Sequence, residues 1–391
     1  MLKANHSFIS EQELEKINKV TDSGKLTGFS GTLGKGDYKY LQMDSKKLIS
    51  HPFLGGEMVQ NVERMISNIV DSSFCVFFNS ATSALFALFS SLNSSKKNIV
   101  VPTLSFSATA SAVAAAGYNP IFVDIDNSSN LNPIALEKTL DGNSDIAAVV
   151  FVQWGGNSTN LIQTKQICDK FGIPLFEDSS QATLSPINSE SYNGMLGLGG
   201  VFSFNGPKNL SCGEGGCIVT NDPDIAFFSR LTRNHAEAIM VEGDIKTERC
   251  RFGYNLRPTE ISCGLASAQI DRREILNSIR QNNKKFLDEH FNKKISASTT
   301  SSPYIPYSAG YYTDTPETKK LLKKELTKKD INIFFGYPIE HWEMFGKLNL
   351  DHFPGTKLYK ENCFTVYQIG FPNSINEMKN LAENVNLILE G

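Results

Sequence analysis

The stretch Phe74-Cys75-Val76-Phe77-Phe78-Asn79-Ser80-Ala81-Thr82-Ser83-Ala84 contains a strand, a turn and the start of a helix. Five apolar residues in a row are typical of a strand that is buried on both faces. Small polar residues then end the strand, and the apolar residues beyond them have helical spacing. Such a turn can bind an anion, because free backbone N–H groups and the helix dipole meet there. Many similar turns bind nothing, so this turn alone does not establish a site.

The same alternation of strand and helix continues along the chain. Apolar strands that alternate with helices predict a mostly parallel sheet with helices on both faces, which is an α/β fold. Ligands of such sheets bind beyond the carboxyl ends of the strands. Residues 80–82, Phe106 and Asp178 each follow or end a predicted strand, so we expect them to lie at one edge. The further strands are predicted at 98–102, 120–124, 147–152, 174–178, 200–204 and 217–220.

The length of 391 residues suits two domains or one large domain with an appendage. We predict an N-terminal helix and long loop at 1–56, a large domain at 57–265 and a smaller C-terminal α+β domain at 266–391. Within the first of these, residues 24–56 are rich in glycine and are predicted to form a long surface excursion. The net charge of −3, without long blocks of like charge, argues against nucleic acid or an anionic membrane as the main partner.

The seven cysteines are scattered and form no Cys-x-x-Cys pair. This pattern predicts free thiols in a reducing compartment and argues against a disulfide framework or a metal site. The N-terminus turns polar too early for a secretory signal, and no apolar run approaches the roughly 18 residues of a membrane span. We therefore expect a soluble cytoplasmic protein.

A second informative stretch is Phe202-Ser203-Phe204-Asn205-Gly206-Pro207-Lys208, which Gly213-Glu214-Gly215-Gly216 follows closely. Asn-Gly-Pro ends a strand and forces a turn, so one lysine stands between two stiff strands and could be presented at a fixed point. The alternative is an ordinary solvated hairpin lysine. An isolated lysine, a carboxylate, an anion-binding helix start and an aromatic residue at strand ends together match the needs of pyridoxal phosphate.

On these motifs the chain resembles the DegT-type (DegT/DnrJ/StrS) nucleotide-sugar aminotransferases, which are fold-type I pyridoxal-phosphate enzymes. The resemblance implies an aspartate-aminotransferase-like fold with a seven-stranded sheet sandwiched by helices. It covers residues 55–275 well, whereas 24–56 and the C-terminal third match poorly. Five segments carry it: 79–85, 102–109, 177–182, 202–216 and 253–257.

The resemblance also implies roles for single residues. Lys208 would form the Schiff base, and the Asp178 carboxylate would pair with the pyridine nitrogen of the cofactor. The Asn255 side chain would reach the phosphate of the neighbouring subunit's cofactor, which implies a homodimer with shared active sites. The remaining cofactor-binding residues are Ala81, Thr82, Ser83 and Ser203 at the phosphate, Phe106 on the ring face and Gln181 near the ring hydroxyl.

These assignments have alternatives. Asp178 could be a helix N-cap, Phe106 could be a core residue, and Ser203 and Asn255 could satisfy local backbone groups. Trp154 and His235 are further candidates for the pocket wall.

The resemblance implies transfer of an amino group, with glutamate as donor, to a keto-sugar nucleotide in amino-sugar and surface-polysaccharide biosynthesis. A subset of the family are sugar 3-dehydrases with histidine at the lysine position, so Lys208 favours transamination. One alternative is an aminotransferase for a non-nucleotide keto-sugar or a cyclitol. Another is a catalytically retired relative that acts as a regulator or scaffold.

Overall fold

The computed structural model describes residues 2–30, 37–49, 51–236, 253–299, 304–346 and 349–390. Its central sheet is built from apolar segments that are buried along almost their whole length. The strands are β1 (Phe74–Phe78), β2 (Asn98–Pro102), β3 (Asn119–Val123), β4 (Ile146–Val152), β5 (Leu175–Asp178), β6 (Gly199–Ser203) and β7 (Gly216–Thr220).

The seven strands lie in the order β1-β7-β6-β5-β4-β2-β3. The pairs from β3 through β2, β4 and β5 to β6 are parallel, whereas β7 is antiparallel to both β6 and β1. The predicted mostly parallel seven-stranded sheet is therefore confirmed. Because β1 and β2 to β6 point the same way, the turns that follow them meet at one edge.

Helices cover both faces of the sheet. Alternate residues of one strand enter different cores: Val76 and Phe78 pack on one face, and Cys75 and Phe77 pack on the other. This two-sided burial explains why the strands read as continuous apolar runs. The helices of this part are α1 (Glu11–Ser23), α2 (Glu57–Val70), α3 (Ala81–Ser91), α4 (Ser107–Ala115), α5 (Pro133–Asp141), α6 (Leu161–Phe171), α7 (Pro223–Arg233) and α8 (Glu260–Asp271).

The C-terminal part has its own small sheet and its own apolar core. Three antiparallel strands lie in the order β10-β9-β8, namely β8 (Ile295–Ala297), β9 (Ala309–Thr313) and β10 (Cys363–Val366). This α+β part agrees with the predicted fold class. The domain boundaries after residues 56 and 265 stay predictions, and the second of them falls inside α8. The helices here are α9 (Arg273–His290), α10 (Pro316–Lys328), α11 (Pro354–Asn362) and α12 (Ile375–Glu390).

The described part of the predicted excursion at 24–56 is fastened to the large sheet. The buried guanidinium of Arg230 on α7 donates to the backbone oxygens of Tyr40, Leu41 and Met43, at 3.2, 2.8 and 3.0 Å. Ser45 then pairs with the amino-terminal end of β1 through its backbone N–H and the oxygen of Ser73. Residues 37–49 therefore lie at the opposite end of β1 from Asn79. Residues 31–36 and 50 lie outside the described ranges.

Three further properties concern membrane-spanning helices, metal sites and cysteines. Within the described ranges, no helix is both long and apolar enough to cross a membrane. Over the same ranges, no group of three or more His, Cys, Asp or Glu side chains is arranged to hold a metal ion. The cysteines that the structure describes are free thiols, and Cys250 lies outside the described residues.

Candidate active site

Lys208 lies in the turn between β6 and β7, at the edge where the parallel strands end. Its backbone N–H donates to the oxygen of Asn205 at 2.9 Å, which closes the turn that Asn-Gly-Pro predicted. Part of the residue remains accessible to solvent, but the side chain points inward, and its Nζ lies 4.5 Å from the centre of the Tyr307 ring. The lysine is therefore not a solvated hairpin residue.

The environment of Lys208 favours the neutral amine. Burial lowers the pKa of this amine to about 8, the Asp178 carboxylate acts in the opposite direction, and the Arg280 guanidinium lowers the pKa further. A substantial fraction of the side chain is then unprotonated slightly above neutral pH, which an ordinary exposed lysine does not achieve. An unprotonated amine is the form that attacks a carbonyl carbon.

Asp178 ends β5 and is buried, at 3% exposure. Its Oδ2 accepts a hydrogen bond from Thr109 Oγ1 of α4 at 2.7 Å, and its Oδ1 accepts one from the Ser180 N–H at 3.2 Å. The second bond is the local, cap-like one that the alternative interpretation predicted. The first bond comes from another element and fixes the carboxylate from the side, so a local cap does not account for the whole arrangement.

The turn between β1 and α3 has the form expected of an anion seat. Ser80 Oγ caps α3 by accepting from the Ser83 N–H at 3.1 Å, and Ser83 Oγ donates to Asn79 Oδ1 at 2.7 Å. The N–H groups of Ala81 and Thr82 belong to the first helical turn, where the helix itself supplies no acceptor. Thr82 is exposed, so a ligand can reach this turn from solvent.

Gly216 at the start of β7 lets the seat and the lysine hairpin approach each other. A Cβ atom at this position would overlap the backbone N and Cα of Ala81. We expect Gly216→Ala to push the turn away from β7, to destabilise the fold by about 1–3 kcal/mol and to weaken cofactor binding. Urea unfolding and cofactor titration would measure both effects. Gly142→Ala is the control, since its Cβ would make only an ordinary contact; equal behaviour of the two variants would contradict the prediction.

Three other predicted residues lie on or next to the same edge. Gln181 is buried, and its Oε1 accepts from the Gly155 N–H at 2.7 Å. Ser203 ends β6, and its Oγ accepts only a long bond of 3.4 Å from the Asn205 N–H. Phe106 precedes α4 and is 55% exposed, so it is not a core residue. This exposure leaves part of the side chain accessible to a ligand.

Asn255 is exposed, and its Oδ1 accepts from Arg257 Nε at 2.9 Å. The oxygen of the next residue, Leu256, accepts from the Asn79 N–H at 3.0 Å, which places this loop beside the phosphate turn of its own chain. The structure thus shows the local contacts of Asn255, and its role towards a neighbouring subunit stays a prediction. His235 is exposed, and Trp154 is buried with its ring 5.2 Å from that of Tyr337.

The structure adds residues that sequence reasoning did not assign. Thr109 lies inside a quoted motif, but only the fold shows that it binds Asp178. Tyr307 and Arg280 belong to the C-terminal part and reach Lys208 through tertiary contacts. The sequence around Tyr307 is rich in proline and tyrosine, which could have marked it as unusual. No feature of the sequence marks Arg280, because it resembles any other charged residue of a helix.

Two side chains next to the proposed catalytic residues have unused polar atoms. Ser180 Oγ is buried beside Asp178, and both polar atoms of the Asn209 amide are buried beside Lys208, all without hydrogen-bond partners among the described residues. Buried polar groups are normally paired, so these atoms can still form hydrogen bonds to a polar ligand. With a nucleophilic amine, a fixed carboxylate and an anion seat, the site fits pyridoxal phosphate.

Known aminotransferases have sequences similar to this chain. Residues 40–367 match the sequence model of the DegT/DnrJ/EryC1/StrS aminotransferase family. The UDP-4-amino-4,6-dideoxy-N-acetyl-beta-L-altrosamine transaminase of Helicobacter pylori (strain 26695) is 28% identical over 83% of this chain and 88% of its own length. The enzyme of that name from Campylobacter jejuni (strain 81-176) is 30% identical over 64% of this chain, and the match spans 66% of that relative.

A solved aminotransferase structure also shares the fold of this chain. The solved structure of Helicobacter pylori PseC, described as an aminotransferase involved in the biosynthesis of pseudoaminic acid, superposes with a TM-score of 0.82. The match covers 100% of this chain and 99% of that one, at 23% identity, and it shows the shared fold. The predicted fold type I and the pyridoxal phosphate cofactor are confirmed. The chain belongs to the DegT/DnrJ/EryC1/StrS aminotransferase family.

Proposed function

We propose that the enzyme transfers an amino group from glutamate to the ketone of a nucleotide-linked sugar, in the synthesis of amino sugars for surface polysaccharides. The observation that carries this proposal is the environment of the Lys208 amine. Its Nζ lies over the Tyr307 ring, and its pKa is lowered to about 8 by burial, although the Asp178 carboxylate opposes the shift. Relatives named as transaminases of a UDP-linked amino sugar support the substrate class.

Each residue of the proposed site would bind a different part of the cofactor. Pyridoxal phosphate, when bound, supplies an aldehyde that takes up the amino group and a ring that accepts electrons. The turn at Ala81, Thr82 and Ser83 would bind the phosphate, with Ser203 beside it. Asp178 would hold a proton on the pyridine nitrogen. We assign Phe106 to the ring face and Gln181 to the ring hydroxyl.

Lys208 has a second task after it has released the cofactor. Its Nζ would take a proton from the amino donor and return it during the transfer, as a general base and then a general acid. An amine with a pKa of about 8 suits both directions, because its two protonation states are both populated near neutral pH. A histidine at this position would have a different reach and basicity, so the identity of residue 208 favours transamination over 3-dehydration.

The assembly is part of the proposal. We infer a homodimer in which Asn255 contributes to the partner's phosphate site, and the exposure of Asn255 beside the phosphate turn supports this. We also place the enzyme in the cytoplasm, and the free thiols of its described cysteines are consistent with a reducing compartment.

The test is a transfer assay with isotope-labelled glutamate and matched acceptors. Keto-sugar nucleotides are compared with the same keto-sugars lacking the nucleotide, and with keto-cyclitols. We expect the label in an amino-sugar nucleotide, detected by mass spectrometry. Label found only in a free sugar or a cyclitol would favour the alternative substrates, and a dehydrated unlabelled sugar would indicate a dehydrase. A purified protein that gains no visible absorbance from pyridoxal phosphate would indicate a retired relative.

A further inference from the structure

Arg280 is a buried cation behind the proposed catalytic lysine. It lies on α9 with 4% exposure. Within the described residues, its guanidinium donates to three backbone oxygens. Nη1 donates to Tyr307 at 2.8 Å, and Nη2 donates to Pro207 at 3.2 Å and more weakly to Lys208 at 3.4 Å. One side chain thus joins the lysine turn of the large sheet to the segment that supplies Tyr307.

The charge of Arg280 has no carboxylate counterpart among the described residues. Burial lowers the pKa of this guanidinium to about 10, and the nearby Tyr307 is the group that opposes the shift. An unpaired buried charge is costly unless several dipoles solvate it, and the three backbone oxygens supply those dipoles. The planar guanidinium has several N–H donors and can bind the three oxygens at once, whereas a lysine ammonium is a single compact charge.

The loop before α12 fixes the guanidinium from another side. A Cβ atom at Gly370 would lie 2.7 Å from Arg280 Cζ, so the glycine lets the backbone pack directly on the guanidinium. The side chain is therefore enclosed by the lysine turn, by the segment around Tyr307 and by this loop. Its position depends on all three segments being in place.

We propose, building on the function proposed above, that Arg280 is a positioning residue for Lys208. The guanidinium fixes the backbone of Pro207 and Lys208 against the Tyr307 segment, and the amine is thereby held at one point of the cleft. The same charge acts on the amine electrostatically. Burial is the larger cause of the lowered Lys208 pKa, Asp178 raises this pKa, and Arg280 lowers it. The Tyr307 hydroxyl stays neutral, because burial raises its pKa.

Position and charge can be separated with two substitutions. Arg280→Lys keeps the positive charge but loses the planar guanidinium and its hydrogen bonds, whereas Arg280→Met loses both the charge and these bonds. Arg273→Met, on the same helix but partly exposed, is the matched control. For each variant we would measure kcat and KM for the amino acceptor. In the apoprotein we would measure the pH midpoint of Lys208 acetylation by acetic anhydride, read on the isolated peptide by mass spectrometry.

We expect Arg280→Lys to lower kcat by about tenfold to a hundredfold with little change in KM, because a misplaced reacting group costs rate more than binding. Its acetylation midpoint should stay near that of the wild type. Arg280→Met should lose at least as much rate and should move the midpoint upward by roughly half a pH unit, which is about a threefold loss of reactive amine below the midpoint. Arg273→Met should change neither quantity.

A wild-type kcat in Arg280→Lys would overturn the positioning role, and an unchanged midpoint in Arg280→Met would overturn the electrostatic one. If these variants fail to fold, Gly370→Ala tests the same contact while keeping the arginine, and an unchanged kcat there would also overturn the proposal. The acetylation midpoint needs neither cofactor nor substrate. Failure of the proposed function would show instead as an inactive wild type with an intact Arg280-dependent midpoint.

Discussion

Replacing Lys208 with alanine should abolish covalent capture of pyridoxal phosphate and lower the transamination rate by about four orders of magnitude or more. The amine is both the proposed attachment point and the proposed proton carrier, and none of the other proposed cofactor-binding residues is a lysine. The cofactor should still bind without a covalent bond, because the phosphate turn at Ala81 and Thr82 is separate from the lysine. Borohydride reduction followed by peptide mass spectrometry would measure the covalent capture.

The control for this experiment is Lys165→Ala. Lys165 lies on α6 and forms an exposed ion pair with Asp169, so its removal should leave capture and rate unchanged. A borohydride-stable adduct on another lysine of the Lys208→Ala protein would show that the attachment site is wrong. Unfolding curves should be similar for both variants, which would exclude misfolding as the cause.

Asp178→Asn should produce the second largest effect, a fall in kcat of about a hundredfold to a thousandfold. Asparagine has the same shape, and its Oδ1 can still accept from Thr109 or from the Ser180 N–H. The variant therefore removes the charge with little change in packing. Without that charge, the proton on the pyridine nitrogen loses its partner. The rate would be measured with saturating glutamate and acceptor.

The same substitution has a second readout, which does not depend on the cofactor. Asp178 raises the pKa of the Lys208 amine, so its neutralisation should lower the acetylation midpoint of Lys208 in the apoprotein. Asp169→Asn, on the surface of α6, should change neither rate nor midpoint. A kcat of Asp178→Asn within threefold of the wild type would reject the proposed role of this carboxylate.

Local sequence patterns predicted most of the large sheet. The bounds of β1 and β2 agree with the predicted ones, because each is a compact apolar segment with clear end signals. The short helix α5 was not predicted, since few of its residues are buried and only its Asn132-Pro133 start is distinctive. Patterns identify elements that bury a continuous face, and they miss elements that bury little.

Some residues of the candidate site could be predicted from local sequence, and others could not. Lys208 and Asp178 could be proposed from sequence because both lie in motifs that resemble the family's, Asp178 at the end of a predicted strand and Lys208 in the turn after one. Tyr307 and Arg280 could not, because their contacts join segments that are distant in the chain. Arg280 in particular is one of many charges on a helix, and only its burial distinguishes it. The role of Asn255 depends on a second subunit, which a single chain does not contain.

The pairing of β1 with β7 determines when the cofactor site can first exist. Phe74 pairs with Thr220, so the strand before the phosphate turn gains its neighbour only after the chain has been synthesised past β7. Contacts between such distant segments form late and slowly. A ribosome-bound chain that ends before β7 therefore lacks the hairpin that supplies the lysine. A ligand that binds only the folded state stabilises that state. Pyridoxal phosphate would therefore bind and stabilise only chains in which the large sheet has formed completely.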